Sequence, residues 1–464
     1  MQFRSEEIRA IRRLTLPILA SQLAQIGIGT IDTIMSGYVS TIDLAAVAIG
    51  NAIWTPVWLF LAGVMVAISS AASRLKAAGG KQAASQLLGV GVALGLVSGL
   101  LCGLLIAVVA WAMPLIVDNQ ESAAITSGYL YFIVFAMPAS GVFLALRFHA
   151  EALDDASQVT RIMLLGLLLN IPVNFVFVYG LDFALIGLPN VGIPAFGGMG
   201  CGIGSAIVMT YMAVHLVLNT RKRRMPENFS LWHATFEMSK TKLADMLRLT
   251  KLGLPIGIAL FFEITLFTAI ALFLTDLGPT VVAGHQVAIN VSSLTFMIPL
   301  SLSMALTVRV GHHIGSGNLD YAKRCAWLGV QINIAIAGLN ALIIILGSRF
   351  VADLYSPDPA VVAIGASLLM YAAVFQLSDS VQVAAAGALR GYEDTFAVMI
   401  ITFVAYWLIG FGSGWYLAYE HSTPYGAKGF WMGLIIGLTV AAITLLWRLR
   451  IIAKRYQSAH LAAS

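Results

Sequence analysis

The sequence predicts an all-α polytopic membrane protein whose twelve transmembrane helices form two parallel six-helix pseudo-repeat lobes. Three observations predict it: the composition, the run of apolar stretches and an internal repeat. Of 464 residues, 59% are hydrophobic and only 11% charged, against roughly 25% charged in an average soluble domain. Twelve apolar stretches follow one another, each near the ~20 residues that carry an α-helix across ~30 Å of hydrocarbon. No water-soluble core could hide so many. A transmembrane β-barrel would instead alternate apolar and polar residues over segments of ~10, a pattern this chain lacks.

The expected spans are 14–38, 44–72, 86–113, 124–147, 159–181, 197–219, 247–274, 280–308, 325–350, 361–387, 396–418 and 428–450. Placing them explains the charge. The chain carries 27 Lys and Arg and a net charge of +5, and all of these bases except Arg349 and Lys428 fall on the side that holds both termini. The positive-inside rule makes that side cytoplasmic. The basicity therefore reports topology, and no nucleic-acid partner is expected. The stretch from Met1 to Arg13 is charged and amphipathic, and the apolar run behind it outlasts a signal-peptide core, so it reads as a retained first helix. Cys102, Cys201 and Cys325 lie in or beside spans, in no disulfide or zinc-ligand spacing.

The repeat orders these spans into residues 1–219, a cytoplasmic linker at 220–246 and residues 247–464. Leu14-Thr-Leu-Pro-Ile18 recurs as Leu252-Gly-Leu-Pro-Ile256, an offset of 238. Gly89-Val90 matches Gly329-Val330, and Gly200-x-x-x-Gly204 matches Gly429-x-x-x-Gly433. The linker opens with Arg221-Lys222-Arg223-Arg224. Six helices per half is an even number, so the second half enters from the same side and the repeats are parallel. Gly95, Gly99 and Gly103 make a small-residue ridge on the third span, read as a structural seam. Intramembrane prolines such as Pro17 and Pro255 permit bends.

Only three of 22 carboxylates lie within spans: Asp32 in the first, Glu263 in the seventh and Asp379 in the tenth. Each costs ~3 kcal/mol at the bilayer centre on insertion scales, so three without function are not expected. No Lys or Arg lies at the centre of any span to pair with them. An acid without a base keeps its proton or holds a cation, and a site that alternates between a coupling ion and a cationic substrate exchanges one for the other.

The neighbours suit that use. Phe267 is one turn after Glu263 and Phe375 one turn before Asp379, each placed to hold a lipophilic cation by cation–π attraction or simply to pack. Asn170 and Asn174 stand at i and i+4 on the fifth span, suited to a cation site or to an interhelical hydrogen bond. Gln25 aligns with Glu263 across the repeat offset. His285 and Gln286 lie in the eighth span, where His285 either relays protons or bonds a backbone carbonyl. His312 and His313 fall in an inside loop and are expected to be solvated. Gly80-Lys81 lacks the rest of a phosphate-binding loop, so ATP is not the energy source.

At these residues the chain resembles the multidrug and toxic compound extrusion transporters, in particular the bacterial NorM-type branch. The resemblance runs from about Leu14 to Arg450. It rests on Gly29-Thr-Ile-Asp32-Thr-Ile-Met-Ser-Gly37, on Leu252-Gly-Leu-Pro-Ile-Gly-Ile-Ala-Leu-Phe-Phe-Glu263, on Ala283-Gly-His-Gln286, and on Ser378-Asp379-Ser-Val-Gln382 with Leu389-Arg-Gly-Tyr-Glu-Asp-Thr395. It implies a V-shaped pair of six-helix lobes and coupling to Na⁺, H⁺ or both. It places a coupling site at Asp32 with Asn170, Asn174 and Ser205, and a Na⁺ site at Glu263 and Asp379. Gln25, Phe267 and Gln286 match positions near a substrate cavity, which Asp32, Glu263, His285 and Phe375 would share.

Two departures stand out. Glu151 is followed by Ala-Leu-Asp-Asp-Ala156 where relatives carry glycine and later a basic residue and proline. No tyrosine lies within one turn of Glu263 or Asp379.

The expectation is a secondary antiporter and not an enzyme: a monomer of the bacterial inner membrane, with no organic cofactor, exporting small cationic amphipathic drugs and dyes against Na⁺ or H⁺. The alternative is a lipid-linked oligosaccharide flippase of related architecture. Its pyrophosphate substrate would call for a cationic cavity, where this sequence offers acids. A membrane-embedded prenyl transferase would need a fuller Asp-rich motif than Asp154-Asp155.

Overall fold

The computed structural model describes residues 2–182, 192–224, 235, 240–422 and 425–461. Among them, twelve helices are long and apolar enough to cross a membrane. They are α1 (Gln2–Gly37), α2 (Thr41–Ala77), α3 (Lys81–Ile116), α4 (Gln120–Ala152), α5 (Ala156–Tyr179) and α6 (Gly198–Arg224), then α7 (Lys240–Phe273), α8 (Pro279–Gly315), α9 (Leu319–Tyr355), α10 (Pro359–Gly391), α11 (Thr395–Glu420) and α12 (Ala427–Leu461). Two two-residue strands, Leu181–Asp182 and Gly192–Ile193, pair antiparallel between α5 and α6.

The helices outrun the apolar stretches. α1 begins at Gln2 and α7 at Lys240, because Lys, Arg and Glu are good helix formers and the backbone ladder continues where hydropathy stops. One expectation falls for this reason: His312 and His313 lie in the last turn of α8, and His313 is buried. Of the expected linker, Arg221 to Arg224 continue α6 as helix, and residues 225–234 and 236–239 lie outside the described residues.

The repeat is visible in how chains close and pack. α4 and α10 end alike, with Asp154 at φ 64° and Glu393 at φ 63°. In both turns the next amide reaches back five residues, Asp155 N–H to Ala150 O and Asp394 N–H to Leu389 O, each at 3.0 Å. An aspartate tolerates the left-handed region better than most residues, so the α4–α5 turn closes without the glycine expected near Glu151. The matched glycine pairs also do the same job. A Cβ on Gly200 would stand 2.5 Å from the Phe177 carbonyl of α5, and one on Gly429 2.6 Å from the Ala418 amide of α11. The first glycine of each pair thus lets the last helix of its half touch the backbone before it. The α3 ridge packs on α4, with a Cβ on Gly99 falling 2.5 Å from the Met137 carbonyl, as a structural seam requires.

The chain forms two compact units. The first comprises Met1–Leu19, Ser73–Gly79 and Ile258–Ser464, the second Ala20–Ala72 and Gly80–Gly257, so α1, α2 and α7 each contribute to both. In the first unit a core gathers Leu266, Phe375, Phe430 and Trp431. A second core joins Ile11 to Leu306, Val310 and Leu389. Here Glu7 of α1 accepts from Nε and Nη2 of Arg309 at 2.8 Å each and meets His313 Nε2 at 3.1 Å, which is why His313 is not solvated.

Candidate functional sites

The second unit gathers one site around Asp32. Asp32 is 1% exposed, and its carboxylate is reached from two other helices, α5 and α6. Asn174 Nδ2 donates to Oδ1 at 2.6 Å, Asn170 Nδ2 to the same oxygen at 3.3 Å, and Ser205 Oγ to Oδ2 at 2.8 Å. The i, i+4 spacing on α5 stacks the two asparagines on one face, and Asn174 Nδ2 also donates to Asn170 Oδ1 at 3.3 Å. Gly204 makes room, since a Cβ there would collide with Asn174 Oδ1. Asn174 Oδ1 itself is buried with no hydrogen-bond partner. Among the described residues no Lys or Arg acts on Asp32.

Two residues at this site escaped sequence reasoning. Cys201 Sγ donates to the Asp32 backbone carbonyl at 3.4 Å. Tyr129, fully buried, lies within electrostatic reach of Asp32 and donates to Asn51 Oδ1 at 2.9 Å. Gln25 is half-buried on α1, two turns before Asp32.

The first unit builds a different site. Glu263 of α7 and Asp379 of α10 act on one another electrostatically, and Gln382, one turn further along α10, hydrogen-bonds Asp379. Gln382 Nε2 also donates to Tyr406 Oη at 2.5 Å. Glu263, Gln382, Arg390, Phe296 and Thr402 line a cavity of about 10 Å³, room for about one water.

One expectation is corrected here. The acids of this unit do have a base, because Arg390 is 6% exposed, lines the same cavity and acts on Glu263. Sequence reasoning left it outside the tenth span, yet α10 runs on through it to Gly391. A tyrosine hydroxyl is present too. It comes from Tyr406 on another helix, inside the π-helical stretch Val404–Phe411 of α11. Such wide turns re-aim side chains and often mark functional positions.

The aromatics meet each other. Phe267 and Phe375 make an edge contact at 6.1 Å between centroids, and Phe375 a second with Trp431 at 5.7 Å. Phe375 is 3% exposed, so it is a core residue. His285 is neither relay-exposed nor bonded to a carbonyl. Trp431 Nε1 donates to its Nδ1 at 3.2 Å, and since indole only donates, that nitrogen is the acceptor and the ring proton sits on Nε2, a buried atom with no partner. Gln286 is exposed, touches Asn290 Oδ1 at 3.5 Å and lines a separate cavity of about 540 Å³ with Thr275 and Pro279.

Comparison with known proteins matches this picture. The MatE family model covers residues 17–176 and 255–416, one match in each repeat. The chain is 38% identical over 98% of its length, and 98% of the relative's, to the multidrug resistance protein MdtK of Pectobacterium atrosepticum. It is 38% identical over 97% of its length, and 95% of the relative's, to the multidrug resistance protein NorM of Aliivibrio fischeri. Among solved structures, the Vibrio cholerae MATE transporter VcmN superposes with a TM-score of 0.82 at 16% identity, covering 98% of this chain and 99% of that one. The eukaryotic MATE transporter AtDTX14 gives 0.83 at 18% identity, covering 99% and 100%. The chain belongs to the MatE family, as a polytopic membrane protein of the kind its NorM and MdtK relatives represent.

Proposed function

We propose that this chain is a secondary active multidrug efflux transporter of the bacterial inner membrane, with both termini cytoplasmic. It exports cationic, amphipathic compounds in exchange for inward Na⁺ or H⁺ by alternating access, as a monomer and without ATP. Near-full-length identity to relatives named multidrug resistance proteins supports drug efflux by a transporter rather than catalysis by an enzyme.

The observation that carries the coupling is the Asp32 cage: a buried carboxylate that no fixed cation neutralises among the described residues, beside an amide oxygen with no partner. Such a carboxylate binds a proton directly. It also suits Na⁺, a hard cation that takes oxygen ligands, with Asp32, the Asn174 amide oxygen and the Ser205 hydroxyl as donors.

The Glu263–Asp379 pair is a second cation site in this reading, with Arg390 as a tethered counter-charge. Two carboxylates and one guanidinium leave a single negative charge to be met by a coupling ion or by the drug. Gln25, Phe267 and Gln286 contribute to the substrate path. One charge crossing ~100 mV is worth ~2.3 kcal/mol, so exchange of one ion for one monocationic drug gains nothing from voltage and exchange of two does.

The test is ethidium efflux from cells expressing the chain, started separately by a Na⁺ gradient and by a pH gradient. Efflux under one gradient, lost in Asp32→Asn, supports the reading and names the ion. Folded protein that moves no cation under either gradient contradicts it and turns attention to flipping of lipid-linked sugars.

A further inference from the structure

Outside both acidic sites, the first unit carries a groove of about 450 Å³ between the start of α1, the start of α9 and the end of α12. Phe3, Arg4, Lys323, Arg324, Trp327 and Gln457 line it, together with Asp320 and the first turns of α9. The charged lining is gathered at the start of the helix. Lys323 and Arg324 stand just inside the start of α9, Trp327 and Leu328 one turn deeper, and Gln331 a turn beyond. On the same α9 face, Ile334 is 46% exposed.

This is how charge and apolar surface change at the boundary between headgroups and acyl chains. Lys323 Nζ donates to Gln457 Oε1 at 3.3 Å, and Gln457 in turn donates to Asp320, which holds one wall in place. Among the described residues Arg4 and Arg324 have no ion-pair partner. Three cations against one carboxylate leave the groove with a surplus of two positive charges.

We infer that this groove binds the headgroup of an anionic phospholipid of the surrounding bilayer, its phosphate between Arg4, Lys323 and Arg324 and an acyl chain descending past Trp327 and Gln331. The groove meets the phosphate with cations and the glycerol with the Gln457 amide. On the same α9 face the exposed Ile334 carries apolar surface past the groove, which a soluble anion would not need. Because α1 supplies Phe3 and Arg4 while α9 and α12 supply the rest, an occupied groove ties the start of α1 to this unit, where Phe3 already stacks on Tyr321 at 4.6 Å between centroids.

The experiment is native mass spectrometry of the purified full chain titrated with phosphatidylglycerol, phosphatidylcholine or glycerol phosphate. The expected result is one phosphatidylglycerol retained in preference to phosphatidylcholine, with glycerol phosphate failing to displace it. At roughly fivefold per interfacial cation, the triple variant Arg4→Gln, Lys323→Gln, Arg324→Gln binds it about 100-fold more weakly.

Asp320→Asn keeps an acceptor for Gln457 but removes the negative wall, and should tighten binding by about fivefold. That is a gain no folding defect produces. Equal retention of the two lipids, unchanged binding in the triple variant, or weaker binding in Asp320→Asn would overturn the proposal. Displacement by glycerol phosphate would show that the groove takes a free phosphate instead.

Discussion

The two units use the same packing devices and place their charges differently. In each, a Gly-x-x-x-Gly pair brings the last helix against the one before it, and in each the turn after the fourth helix closes through one left-handed residue. Yet Asp32 sits among amides and a hydroxyl with no basic neighbour, whereas Glu263 and Asp379 share their surroundings with Arg390 and Tyr406. The packed pairs show how this is done. Gly204 of α6 makes room for the side chain of Asn174, while Gly433 of α12 lies against the backbone of Gly410 and Gly414. One duplicated scaffold therefore holds an amide-lined carboxylate in one unit and bare helix contact at the matching seam of the other. The fold sets where helices touch, and single residues at those touches decide whether a buried carboxylate has a basic neighbour.

The sharpest way to break the comparison is Arg390→Met. Removing one partner of a buried charge cluster costs about 3–5 kcal/mol, so thermal or denaturant unfolding should show the largest loss of any variant here. Adding Glu263→Gln should restore most of it. Full stability of the single variant would show that the acids of the first unit do not depend on Arg390.

Next come the glycines. Overpacking costs about 1–3 kcal/mol, and Gly433→Ala should sit at the upper end because its Cβ meets only backbone. Gly204→Ala should cost less stability, since the Asn174 side chain can turn away, but more gradient-driven efflux. Equal effects on both readouts would erase the distinction between the two seams.

Asn174→Ala removes a hydrogen bond to a buried carboxylate, worth about 1.5–3 kcal/mol, together with the amide oxygen proposed as a Na⁺ ligand; it should weaken Na⁺ affinity by ~10-fold or more, whereas a coupling proton, no longer competing with the amide donor, would be held more tightly. The smallest effect is expected of Tyr406→Phe. Losing the hydroxyl that Gln382 reaches costs about 1 kcal/mol, seen as a modest drop in dye affinity with Asp32-dependent coupling intact.

Much of this organisation is legible in the sequence, and the illegible parts share a cause. The i, i+4 asparagines, the Leu-x-Leu-Pro-Ile repeat and the three intramembrane acids can be read directly, because helix periodicity and hydropathy are local. Arg390 and His313 cannot. Both follow an apolar run and look like loop residues, but the helix continues through them and carries them inward. Tyr406 is far from both acids in sequence and reaches them from a π-helical stretch that no 3.6-residue period announces. Phe375 keeps its spacing from Asp379, yet its ring goes to Trp431, because packing partners on other helices decide which way a side chain on a shared face is used.

In the proposed exchange Asp32 receives the coupling cation. Its most direct test is ion binding by the purified chain, measured as ²²Na⁺ retained and as protons released on adding ethidium, in the wild type and in Asp32→Asn and Glu263→Gln. Asp32→Asn is expected to lose the ion held in the second unit, whichever it is, and to keep at most the one at Glu263 and Asp379, while Glu263→Gln still binds it at the second unit. Undiminished ion binding and gradient-driven efflux in Asp32→Asn would contradict it.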